Sequence, residues 1–125
     1  MTMQTSRILT VDDSRTMRAM LDMTLSSRGF DVVQAEDGQA ALDWLETNEV
    51  DLIITDINMP RLDGFGFIER LRGEGRRHVD RPILVLTTES TPERKARARS
   101  AGATGWIVKP VDADRLVDAI RRVAQ

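Results

Sequence analysis

The residues able to do chemistry are few, and they recur in one kind of place. Asp12 and Asp13 follow Ile8-Leu9-Thr10-Val11, and Asp56 follows Leu52-Ile53-Ile54-Thr55. Thr87 closes Ile83-Leu84-Val85-Leu86, and Lys109 follows Trp106-Ile107-Val108. Each apolar run has the length and composition of a buried strand. In an open parallel sheet the carboxyl ends of the strands share one edge, where ligands bind. Three carboxylates gathered there would repel one another unless a cation sat among them. Oxygen donors without Cys or His suit a hard divalent ion, and Mg²⁺ fits best because it takes few carboxylates and keeps several waters. The ammonium of Lys109 and the hydroxyl of Thr87 complete what a phosphoryl group needs. Charge neutralises its oxygens, a hydroxyl donates a hydrogen bond, and the Asp56 carboxylate is a nucleophile.

The elements that must position these groups alternate along the chain. Ser14 caps a helix with an inner stripe of Met17, Met20, Leu21 and Leu25, stopped by Arg28-Gly29. Asp31–Ala35 is a short strand, and Asp37-Gly38 opens a helix carrying Ala41, Leu42 and Leu45. After the strand at 52–55, the turn Met59-Pro60-Arg61-Leu62-Asp63-Gly64 leads to a helix using Phe65, Ile68 and Leu71. A polar loop from Gly73 to Arg81 precedes the fourth strand. Thr91-Pro92 starts a helix that Gly102 ends, and Asp112 caps a last one with Leu116, Val117, Ile120 and Val123 inward. Strands alternating with helices imply parallel pairing, right-handed crossovers and an α/β, doubly wound sheet of five strands with five helices.

Composition bounds the function. The chain has 125 residues, 41% hydrophobic and 30% charged, which is an ordinary globule of one domain, residues 1–125. Net charge is −2, so bulk charge recruits neither nucleic acid nor anionic membrane. The absence of cysteine excludes disulfides and thiol chemistry. No segment approaches membrane-spanning length, and the start lacks a long apolar stretch, so no membrane insertion and a cytoplasmic protein are expected.

Together these residues resemble the receiver domain of response regulators, most of all the single-domain chemotaxis (CheY-like) type, over essentially the whole chain. The resemblance implies the flavodoxin-like strand order 2-1-3-4-5. It implies that Asp56 accepts a phosphoryl group from a phosphohistidine on a histidine kinase or histidine phosphotransferase. Asp13, Asp56 and the backbone carbonyl of Asn58 would ligate Mg²⁺, with Asp12 acting through water. Thr87 would bind the phosphoryl group, Lys109 would pair with its oxygens, and the bond before Pro110 would be cis. Trp106 stands at the family's switch position, usually Tyr or Phe. Asn58 and Glu89 flank the approach of a hydrolytic water, and this pair resembles that of short-lived chemotaxis regulators, so fast self-dephosphorylation is expected. The face around Arg15 and Met17 is where the resemblance places the phosphodonor. The fourth helix, fifth strand and fifth helix would form the output surface, which contains Trp106. Arg94, Lys95, Arg97 and Arg99 read either as a docking surface for an acidic partner or as a solvated face. The expected protein is a signalling switch and not an enzyme. Its output is association with a downstream protein, such as flagellar-motor or chemotaxis machinery, since one domain leaves no room for a DNA-binding output. A phosphate sink that drains a kinase is the alternative.

Two departures stand out. An indole at Trp106 is larger than a phenol and donates through a different edge, so altered coupling is expected against the plainer reading of a surface-covering side chain. Thr88 is larger than the residue usual there, and its branched side chain is expected to narrow access to Asp56. Each site residue also has a plain meaning alone. Asp12-Asp13 suits a helix start, Asp56 a turn cap, Thr87 a strand end and Lys109-Pro110 a turn. His78 reads as solvated, Met17, Met20 and Met23 mainly as packing, and Trp44 as either packed or partly exposed on the second helix. A haloacid-dehalogenase-type phosphohydrolase wants a second aspartate where Asn58 stands. A flavin module wants a phosphate cradle where Asp12-Asp13-Ser14 would repel one.

Overall fold

The computed structural model describes residues 6–73 and 80–124. Five strands alternate with five helices: β1 (Arg7–Val11), α1 (Arg15–Ser26), β2 (Asp31–Ala35), α2 (Gly38–Leu45), β3 (Leu52–Thr55), α3 (Gly64–Leu71), β4 (Ile83–Thr87), α4 (Pro92–Ala101), β5 (Gly105–Val108) and α5 (Ala113–Val123). All pairings are parallel, and the sheet order is β2-β1-β3-β4-β5. The registers Val11↔Thr55 and Thr87↔Val108 bring β1 level with β3 and β4 level with β5, while Thr55↔Val85 lets β4 run two residues past β3, so residues just beyond the strands meet at one edge.

Helices cover both faces, which is why β3 and β4 are buried along their whole length and read as unbroken apolar runs. One core packs Leu9, Ile53 and Val85 against Leu42, Phe67 and Ile68 of α2 and α3. The other packs Ile8, Ile54 and Leu84 against Leu21, Leu25, Leu116 and Ile120 of α1 and α5. Alternate residues of each strand thus serve opposite cores. The helix starts are capped where the sequence predicts. Side chains of Ser14, Asp37, Thr91 and Asp112 each accept a hydrogen bond from the backbone N–H three residues on. Gly102 ends α4 with φ +119°.

One expectation for α1 is corrected. Met20 is not part of the inner stripe: it is 50% exposed, because Leu21 and Leu25 already fill the helix face toward α5, with Met17 at its margin. Met23 is exposed as well, so packing accounts only for Met17. Trp44 is partly buried against the α2–α3 core, and His78 lies outside the described residues.

Candidate functional site

The parallel ladders continue past the strands and set the site. Asp12 N–H donates to the Ala35 carbonyl, and Asp56 N–H to the Val11 carbonyl, at 3.2 and 2.9 Å. Lys109 N–H donates to the Thr87 carbonyl at 2.8 Å, across a cis Lys109–Pro110 bond that follows. The edge residues of four strands are thereby fixed by backbone, before any side chain is considered.

The side chains then converge. Lys109 Nζ donates to Asp56 Oδ2 at 2.8 Å and to Asp12 Oδ2 at 3.0 Å. The remaining oxygens of the acids take backbone donors: Asp56 Oδ1 accepts from Ile57 N–H at 2.6 Å, and Asp12 Oδ1 from Ser14 N–H at 2.9 Å. Both acids are buried. Burial alone would lower the Lys109 pKa, but the hydrogen bonds and charges of Asp56 and Asp12 outweigh it and hold the ammonium above the usual lysine range. Asp13 stands exposed at the rim, and Asn58 is exposed on the loop after β3.

Two buried carboxylates against one ammonium, with Asp13 beside them, leave an excess of negative charge. Among the described residues no three acidic or histidine side chains form a ready-made metal cage. The donors present, carboxylates and an exposed backbone segment at Asn58, nevertheless match a hard ion that brings most of its own ligands as water. The residues fit a magnesium-type site.

Thr87 is buried, and its hydroxyl accepts from the Glu89 N–H at 3.3 Å. Thr88 is exposed. Glu89 is turned toward α4, pairing with Arg94 at 3.2 Å. The basic helix is divided in its roles. Arg97 and Arg94 lie over the Phe65 ring of α3, at 4.1 and 5.7 Å, so both are drawn away from β5. Lys95 and Arg99 instead flank half-buried Trp106 on the β5 side. Arg15 is exposed, while Met17 lines a mainly apolar groove of about 430 Å³ with Met20, Pro110 and Ala113, reaching Lys109.

Two contributors escape a reading of pattern. Arg18 donates to the Asp12 carbonyl at 2.6 Å, one turn into α1, and no motif marks it. Arg61 donates twice to Asp37, at 2.7 and 2.9 Å. The turn around Arg61 is visible in the sequence, but its partner lies 24 residues away.

Comparison with known proteins agrees with the geometry. The model of a response regulator receiver domain matches residues 8–121. The chemotaxis response regulator CheY4 of Vibrio cholerae is 40% identical, with a TM-score of 0.90 over 96% of this chain and 99% of that one. A response regulator from Chloroflexus aurantiacus is 30% identical, with a TM-score of 0.91 over 97% and 98%. The response regulator MprA of Mycobacterium tuberculosis is 39% identical over 92% of this chain, which spans 49% of that protein. The sensor kinase/phosphatase CqsS of Vibrio cholerae is 33% identical over 91% of this chain, which spans 17% of it. The chain thus spans about half the length or less of these curated relatives.

Proposed function

Since the chain belongs to the response regulator receiver domain family of two-component systems, we propose that it is a phosphorylation-controlled switch with Asp56 as phospho-acceptor. The observation that carries this is the Lys109 ammonium, held between two buried carboxylates at the carboxyl edge of the sheet.

One oxygen of Asp56 attacks phosphorus of a phosphohistidine on the donor. The P–N bond breaks as the P–O bond forms, and the imidazole leaves with the electron pair. The Asp56 carboxylate becomes a mixed anhydride, and the ammonium of Lys109 stays paired to Asp12 while moving onto a phosphoryl oxygen. The Thr87 hydroxyl, now an acceptor from Glu89, turns to donate to the new group. Asp13, Asp56 and the Asn58 carbonyl, with Asp12 through water, would hold Mg²⁺, which when bound would supply charge neutralisation. Asn58 and Glu89 flank the approach of a hydrolytic water, and their resemblance to the pair in short-lived chemotaxis regulators favours rapid self-dephosphorylation. The protein acts as a switch and not as a turnover enzyme.

The phosphodonor docks on the Met17–Met20 groove beside Arg15, where an apolar helix face meets the edge that holds Lys109. Output runs through Trp106 to the α4–β5–α5 face. A groove of about 410 Å³ there is lined by Trp106, Ile107, Arg115 and Arg122, with Lys95 and Arg99 on the other side of the indole. With Asp118 the one acid in that lining, the rim is net cationic and suits an acidic protein target. The kinship with CheY4 favours a chemotaxis or flagellar-motor target in the cytoplasm.

Beryllofluoride, a phosphoryl mimic, tests the reading in the presence of Mg²⁺. Binding in the wild type, its loss in Asp56→Ala and a change in Trp106 fluorescence are expected. An intact fold that binds no beryllofluoride would rule out the switch.

A further inference from the structure

The backbone just beyond Asn58 is strained, and an ion pair holds it. Among the described residues Arg61 is the one non-glycine residue with positive φ, +65°. Leu62 N–H donates to the Pro60 carbonyl at 2.7 Å, so residues 60–62 close the positive-φ γ-turn, the rarer and strained form. A long side chain gains nothing locally from that conformation. The compensation lies across the loop. Arg61 Nε and Nη2 donate to Oδ2 and Oδ1 of Asp37, a two-pronged contact that fixes orientation as well as distance. The Asp37 side chain is only 5% exposed, whereas that of Arg61 is 58% exposed.

Asp37 is itself anchored. Its Oδ1 accepts from Ala40 N–H at 2.9 Å as the cap of α2, and a Cβ on neighbouring Gly38 would sit 2.9 Å from the Leu62 carbonyl. The other end of the loop is pinned too. Gly64 N–H donates to the Ile57 carbonyl at 2.8 Å, and a Cβ on Gly64 would collide with the Asp56 carbonyl. Asn58 lies between these two fixed points.

We propose that Arg61 is a positioning residue for the phospho-acceptor site: gripping Asp37, it holds the 57–63 backbone, and with it the Asn58 carbonyl, in the arrangement that takes a divalent cation. This rests on the receiver reading of Asp56 and Asn58. Two effects of removing Arg61 have opposite signs, which makes the idea testable. Coulomb attraction alone says that deleting a cation near an acidic site strengthens Mg²⁺ binding. Loss of a positioning group weakens it.

The experiment is a Mg²⁺ titration followed by the Ile57 amide NMR signal, with hydrogen exchange of the Leu62 and Gly64 amides. The variants are Arg61→Asn, which tolerates positive φ without the ion pair, Arg61→Lys, Asp37→Asn and the double variant Arg61→Asn/Asp37→Asn. Arg61→Asn should weaken Mg²⁺ binding about tenfold, the low end for groups that orient metal ligands, and speed both amides. Arg61→Lys should recover part of the loss, and the double variant should be no weaker than the worse single one within about twofold. Mg²⁺ affinity unchanged or raised in Arg61→Asn overturns the proposal, even if the fold is less stable. Additive losses in the double variant overturn it as well. Wild-type protein that binds no Mg²⁺ instead removes the cation-site reading of Asp56 and Asn58, and this inference with it.

Discussion

Lys109 is a cation between two acids that its own burial would otherwise discharge, and that makes it both structural and chemical. Lys109→Met leaves Asp12 and Asp56 facing each other with backbone donors on one oxygen each. We expect urea unfolding at pH 7 to show a loss of about 1.5–3 kcal/mol, the range for hydrogen bonds to charged groups, together with loss of beryllofluoride binding. Asp37 offers a pH test. Hydrogen bonds from Arg61, opposed by burial, hold its pKa below the ordinary carboxylate value. A depressed acid contributes stability that is present above its unfolded pKa, near 3.9, and that is lost as pH falls through the lower folded value. Carboxyl-carbon NMR titration should therefore find Asp37 below the ordinary range in the wild type. In Arg61→Gln the value should rise, because burial then acts with its main opponent removed. An unmoved Asp37 would show that the ion pair does not form in solution.

At the scale of elements, α4 is the helix with least of itself in the core. Only Ala98 of its ten residues is buried, whereas α5 buries Leu116, Val117 and Ile120. Native-state hydrogen exchange should find the α4 amides opening faster than those of α5, and equal protection would contradict this reading of burial. The same contrast explains what was legible in the sequence. Caps and stops carry local signatures, so Ser14, Thr91-Pro92, Asp112 and Gly102 mark helix ends unaided. The strand ends were legible because apolar runs stop abruptly at Asp12, Asp56 and Lys109. Met20 was misplaced because helical spacing tells which residues share a face but not how wide the buried face is. The grip of Arg61 on Asp37 was hidden, since it depends on a positive φ and on two loops meeting. The turning of Arg94 and Arg97 onto Phe65 was hidden for a like reason: a charge run says nothing of which neighbour it leans on.

The whole molecule is two cores sharing one sheet, and the site lies along the sheet's edge above both. Phe67, fully buried in the α2–α3 core, tests how far stability and site are coupled. Phe67→Ala should cost about 3–5 kcal/mol, read by urea unfolding. Because ladder hydrogen bonds fix the backbone of Asp12, Asp56 and Lys109, the molecules that remain folded should still bind beryllofluoride. Their loss of binding would mean that packing below α2 and α3 positions the acids.

The order β2-β1-β3-β4-β5 also has a consequence in time. The first three neighbours in the sheet are all made from residues 7–55, so β2 and β1 have all their strand partners before β4 is synthesised, and β3 lacks only β4. Asp12 and Asp56 belong to that early portion, Thr87 and Lys109 to the late one. A chain emerging from the ribosome, N-terminal part first, thus holds its acids long before the ammonium that lies between them. Only the last strand completes the cluster, so an unfinished copy lacks the ammonium on which the proposed switch depends.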